Sequence, residues 1–117
     1  MGNSKLLLFR NFGSWALALF FIVGGSINFL ATDQIRSDYV HWGYPIWFHY
    51  VTAILEFCVA FLLARRETRL LGSVLGAFVM FAAAATVLRS GDPIHALLPL
   101  IVLSLVAVNA WFNLRES

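Results

Sequence analysis

Residues 43–63, GYPIWFHYVTAILEFCVAFLL, are apolar almost throughout, yet they carry Glu56 near their centre. Whether this run is the core helix of a soluble domain or a membrane span decides the fold, and the rest of the chain supplies the answer. Of the 117 residues, 61% are hydrophobic and 12% charged. Soluble domains carry about a quarter charged residues. A chain this short has too little interior to hide so much apolar surface. The surplus requires lipid.

Three further segments match the run: Gly13–Leu30 (GSWALALFFIVGGSINFL), Leu70–Leu88 and Pro93–Leu114. With Ile46–Ala64 they approach the length of about 20 apolar residues that crosses a bilayer core. The alternation of barrel strands is absent, so helices are the spanning form. The connectors ATDQIRSDYVHWGYP, RRETR and RSGDP are short, so residues 1–117 read as one domain. The expected fold is all-α, an integral membrane four-helix bundle.

Basic residues orient it. Lys5, Arg10, Arg65, Arg66, Arg69 and Arg115 fall on one side of four spans, leaving Arg36 and Arg89 on the other. By the positive-inside rule both termini face the cytoplasm. Tyr39, Trp42, Tyr44 and Trp47 gather at the opposite boundary, where amphipathic rings prefer to lie. The net charge of +2 comes with no basic run to hold phosphates, which excludes nucleic acid as a partner. The lipid bilayer is the expected partner, together with other membrane subunits or further copies of the chain. The expected location is a bacterial cytoplasmic membrane, crossed several times.

Punctuation marks the ends. Gly43-Tyr44-Pro45 breaks the first connector, and Asp92-Pro93 offers an N-cap followed by proline. Pro99 then either kinks the last helix or places its regular part later than Pro93. The one cysteine, Cys58, forms no C-x-x-C pair and reads as a small packed apolar side chain.

Counted from Pro45, Glu56 lies about 16 Å along its helix, near the bilayer midplane. A charged carboxylate there costs at least about 2.5 kcal/mol, and protonation lowers that cost. His49 and Thr52 share its helical face, and Asn28 lies towards the outer end of the first span. Together they define a candidate ligand or proton pocket, although Asn28 also reads as polar glue between helices. Asn109 lies far from it and reads as structural. Gly72 and Gly76, and Gly24 with Gly25, are the small residues that let helix backbones approach. His41, His49 and His95 lack the spacing of metal ligands, and no nucleophile–base pair exists, so neither a metal centre nor a catalytic site is expected.

Gly25 with Asn28, then Gly43-Tyr44-Pro45, then Tyr50, Ala53 and Glu56 form a pattern. It resembles the DoxX-like family of small four-helix membrane proteins, and the likeness runs over nearly the whole chain. Two positions depart from that pattern: Asn28 stands where relatives carry lysine, and Ala53 where they carry glycine. A lysine–glutamate ion pair of relatives is therefore excluded. The resemblance implies an accessory or scaffolding subunit of a membrane redox complex, with a quinone as the implied cofactor or a lipid in the pocket. The alternative is a small proton-coupled transporter using Glu56, similar to small multidrug resistance transporters. Those carry their glutamate in the first helix and show weak charge bias, unlike this chain.

Overall fold

The computed structural model describes the backbone of residues 2–116 and the side chains of residue 8 and residues 11–114. Its helices are α1 (Gly2–Leu30), α2 (Asp33–His41), α3 (Phe48–Ala64), α4 (Arg69–Arg89) and α5 (Leu97–Glu116). A 3-10 turn, Arg66–Thr68, links α3 to α4, and the described residues contain no strand. The segments Asn11–Leu30, Arg66–Arg89 and Leu97–Leu114 are long and apolar enough to cross a membrane. The apolar helix α3 is shorter, at 17 residues. That length is at the lower end of what spans a bilayer core. The side chains of Lys5, Arg10 and Arg115, on which the charge asymmetry partly rests, lie outside the described residues.

The four long helices pack in a chain of neighbours: α1 on α3, α3 on α4, α4 on α5, with a lighter contact between α5 and α1. All four contribute to one core. It is built from Leu17, Ala18 and Phe21 of α1, Val59, Ala60 and Leu63 of α3, Val79 and Met80 of α4, and Val102 and Val106 of α5. The outward faces are equally apolar: Leu19, Phe61, Phe78, Phe81 and Leu105 are all exposed. A soluble protein does not present oil on both faces of its helices. This one is built for a solvent as apolar as its core. Cys58 is exposed on α3 rather than packed in the interior, and a thiol is apolar enough for that face.

Glycines set two close contacts. A Cβ at Gly72 would stand 2.8 Å from Leu62 Cβ and 2.9 Å from the Leu63 backbone nitrogen, so α4 rests directly on the α3 backbone. A Cβ at Gly76, one turn on, would stand 3.1 Å from the Val59 side chain and 3.3 Å from the Phe21 ring. On α1, a Cβ at Gly25 would stand 2.9 Å from the Phe57 ring, and one at Gly24 would collide with the Glu56 carboxylate. At the other end of the bundle, Ser14 donates to Asn109 Oδ1 at 3.1 Å and Asn109 Nδ2 donates to Ser73 Oγ at 3.2 Å. These buried groups tie α1, α5 and α4 together, and each satisfies the other's polarity in an apolar setting.

The largest departure from the sequence reading is α2, a helix inside the first connector. Thr32 caps it, its hydroxyl accepting from the Ile35 N–H at 3.4 Å. The chain turns into that cap through Ala31, which holds a left-handed φ of 45°. Both α2 and α4 end in the same way. Gly43 N–H reaches the Val40 carbonyl and Tyr44 N–H the Tyr39 carbonyl; Gly91 and Asp92 repeat this with Leu88 and Val87. This double bond pattern needs a left-handed residue, which the glycines supply at φ 87° and 82°. Pro45 precedes α3 in a turn, its carbonyl accepting from the Phe48 N–H. The last helix begins at Leu97, not at Pro93. Pro99 thus falls within the first turn of α5, where no intrahelical donor is missed and no kink is required.

Candidate functional site

Glu56 lies eight residues into α3, about 12 Å along it. It is only 4% exposed, although its neighbours Leu55 and Phe57 on the same helix are exposed. Its Oε1 accepts a 2.6 Å hydrogen bond from Asn28 Nδ2, which also donates to the Gly24 carbonyl at 3.0 Å. With both hydrogens engaged, Asn28 turns its Oδ1 outward, where the Tyr39 hydroxyl donates to it at 2.7 Å. The absence of a side chain at Gly24 is what lets the carboxylate lie against α1. The result is a line of three side chains from α3 through α1 to α2.

His49 sits behind that line, 2% exposed, with Nδ1 at 2.9 Å from the Asn28 carbonyl oxygen. A carbonyl only accepts, so that ring nitrogen carries the proton. The Tyr39 ring stands edge-on to the imidazole, with centroids 6.3 Å apart. Burial pushes the Tyr39 phenol above its ordinary value. It therefore stays protonated, and a donor, throughout the physiological range. Thr52 lies one turn before Glu56, with its hydroxyl directed to the Phe48 carbonyl at 3.4 Å.

Asn28, Thr52 and Glu56 form part of the wall of a cavity of about 440 Å³ between α3 and α4. At the end towards the first connector it is lined by Tyr39 and Trp42, with Tyr44 and Phe48 beside them. Tyr44 and Phe48 stack with centroids 4.7 Å apart. The Tyr44 hydroxyl bonds to Thr86 Oγ1 at 2.6 Å, drawing the connector onto α4. At the rim, Arg89 donates to the Trp42 carbonyl at 3.0 Å and lies over the Tyr44 ring at 5.8 Å. Exposed Leu55 and Phe78 line the side between α3 and α4, so that side opens towards lipid.

Of the four residues singled out in the sequence, Glu56, Asn28 and Thr52 reach this cavity, while His49 supports Asn28 from behind. Gly24, Gly25, Gly72 and Gly76 sit in the helix contacts described above. Tyr39, Trp42, Tyr44, Thr86 and Arg89 were not foreseen as part of the site. In the sequence the aromatic residues among them fit an interfacial belt equally well. Asp92 and His95 pair with each other on the exposed stretch between α4 and α5, and neither lines the cavity.

The fold and site define an all-α membrane protein with a polar cluster buried among its helices. A sequence model of the DoxX-like family matches residues 13–109. The chain belongs to that family. No curated protein and no solved structure matches it.

Proposed function

We propose that this chain is an accessory or scaffolding membrane subunit that holds a small amphiphile, drawn sideways from the bilayer, in the cavity beside Glu56. The carrying observation is the cavity itself: about 440 Å³, mostly apolar, with a buried carboxylate in its wall and a side open between α3 and α4. Small-molecule sites have this size and this balance of many apolar and few polar groups. A quinone or a lipid is the occupant that family resemblance favours. No catalytic activity of its own is assigned. Purification in native lipid, followed by mass spectrometry, tests the reading. A stoichiometric amphiphile or a companion subunit is the expected result, and a chain accompanied only by bulk lipid in bulk proportions contradicts it.

In this reading α1, α3, α4 and α5 each cross the bilayer, with both ends of the chain in the cytoplasm of a bacterial cell. The charge asymmetry supports that orientation, and the 17 residues of α3 are enough for a thin or locally deformed membrane. Cysteines introduced at Ser37, in α2, and at Arg66 should therefore react from opposite sides of intact cells. Reaction of both with an impermeant reagent from outside would defeat the topology.

The rival, a small transporter coupled to protons through Glu56, finds support in the depth and burial of that carboxylate. It differs in requiring the cavity to open to both sides of the membrane in turn.

A further inference from the structure

The hydrogen-bond inventory around Glu56 narrows the amphiphile's chemistry. At the depth of the carboxylate, donors are already engaged. Asn28 Nδ2 serves Gly24 and Glu56, and the Tyr39 hydroxyl serves Asn28. The Thr52 hydroxyl points to the Phe48 carbonyl, and His49 Nδ1 to that of Asn28. The acceptor side is different. Glu56 Oε2 has no hydrogen bond among the described residues, and a carboxylate offers about four acceptor positions. The unmet capacity here is for a donor.

Charge points the same way. No lysine, arginine or histidine pairs with Glu56 among the described residues, where the ion pairs are Arg65 with Glu67 and His95 with Asp92. His49 faces Asn28, and Arg89 is spent at the rim on Trp42 and Tyr44. The cavity walls are aromatic at the end towards the first connector, with Tyr39 within 5.2 Å of Trp42 and 6.2 Å of Phe48, centroid to centroid. Aromatic faces attract cations within about 6 Å, and more strongly where water is excluded. A hard metal cation needs six or more oxygen ligands, which this lining does not offer.

Resting on the reading of the cavity as an amphiphile site, we infer that its ligand is a lipophilic amine in protonated form. Its N–H donates to the Glu56 carboxylate, its apolar body lies along the aromatic wall, and its tail leaves between α3 and α4. The amine supplies the positive charge and the donor that the described side chains leave out.

The test uses the full chain in phosphatidylcholine nanodiscs, with a radiolabelled N-hexylbenzylamine as probe. The neutral benzyl hexyl ether and decylubiquinone serve as competitors. Saturable binding of one amine per chain is expected, with the ether and the quinone at least about tenfold weaker, the discrimination a charge-assisted hydrogen bond provides. Glu56→Gln should weaken the amine by about tenfold or more and spare the ether. Asn28→Lys, which brings a resident cation to the carboxylate, should abolish amine binding and keeps the test alive if Glu56→Gln fails to fold. Equal binding of amine and ether, or amine binding unchanged in both variants, overturns the amine assignment. Tight binding of the quinone without the amine overturns it too, yet leaves the amphiphile site standing. Failure of all three probes to bind overturns both.

Discussion

Gly72→Leu should be the most destabilising single change in the apolar part of the bundle. A Cβ at this position already lands 2.8 Å from Leu62 Cβ and 2.9 Å from a backbone nitrogen, and a backbone cannot rotate out of the way. The helices must separate. Overfilling a packed seam costs roughly 1–3 kcal/mol, and a leucine against backbone belongs at or above the top of that range. A graded series makes the prediction specific. Gly76→Ala should cost less, because its neighbours at 3.1 and 3.3 Å are side-chain atoms of Val59 and Phe21. Gly13→Ala should be almost neutral, since its nearest neighbour is 3.7 Å away. Thermal unfolding in one detergent ranks the three, and a Gly72→Leu profile matching wild type would mean that α3 and α4 do not meet there.

Asn28→Leu should have the largest effect on the site. It removes in one step the donor to Glu56 Oε1, the donor to the Gly24 carbonyl and the acceptor for the Tyr39 hydroxyl. Each buried group left without a partner costs about 1–3 kcal/mol. The damage should also be directional. α2 packs only lightly against α3, and Tyr39 is its buried residue. Loss of the Tyr39–Asn28 bond should therefore loosen α2 before the long helices. Hydrogen exchange in nanodiscs should speed up across Asp33–His41 while the cores of α3 and α4 stay protected. Uniform acceleration through all helices would instead assign Asn28 to the global fold.

The membrane class was legible in the sequence because it depends on local quantities, namely apolar runs and the short charged connectors between them. Counting residues from Pro45 put Glu56 about 16 Å along its helix; with the helix beginning at Phe48 it lies about 12 Å along. Its companions on the same helical face, His49 and Thr52, followed from helical periodicity, as did the glycine positions. The roof of the cavity did not, since Tyr44 meets Thr86 across 42 residues and Tyr39 meets Asn28 across 11. No periodicity announces such pairs. Helix α2 was missed although Thr32-Asp33 is a fair N-cap signal. Its polar character gave no apolar stripe to follow, and its only buried residue is an aromatic that also suits an interfacial belt. The start of α5 was ambiguous for a similar reason: Pro93 and Pro99 both suit a first turn, and only the packed chain selects Leu97.

The proposed function requires that Glu56 face a cavity reached from lipid rather than a sealed core. Dicyclohexylcarbodiimide tests it directly, since this apolar reagent partitions into membranes and couples to carboxyl groups that it can reach. Membranes holding the wild-type chain should yield a peptide modified at Glu56. Ala83→Trp, which fills the cavity from α4 without touching the carboxylate's bond to Asn28, should suppress that product. An unmodified Glu56 in the wild type, or equal modification in Ala83→Trp, would contradict the claim.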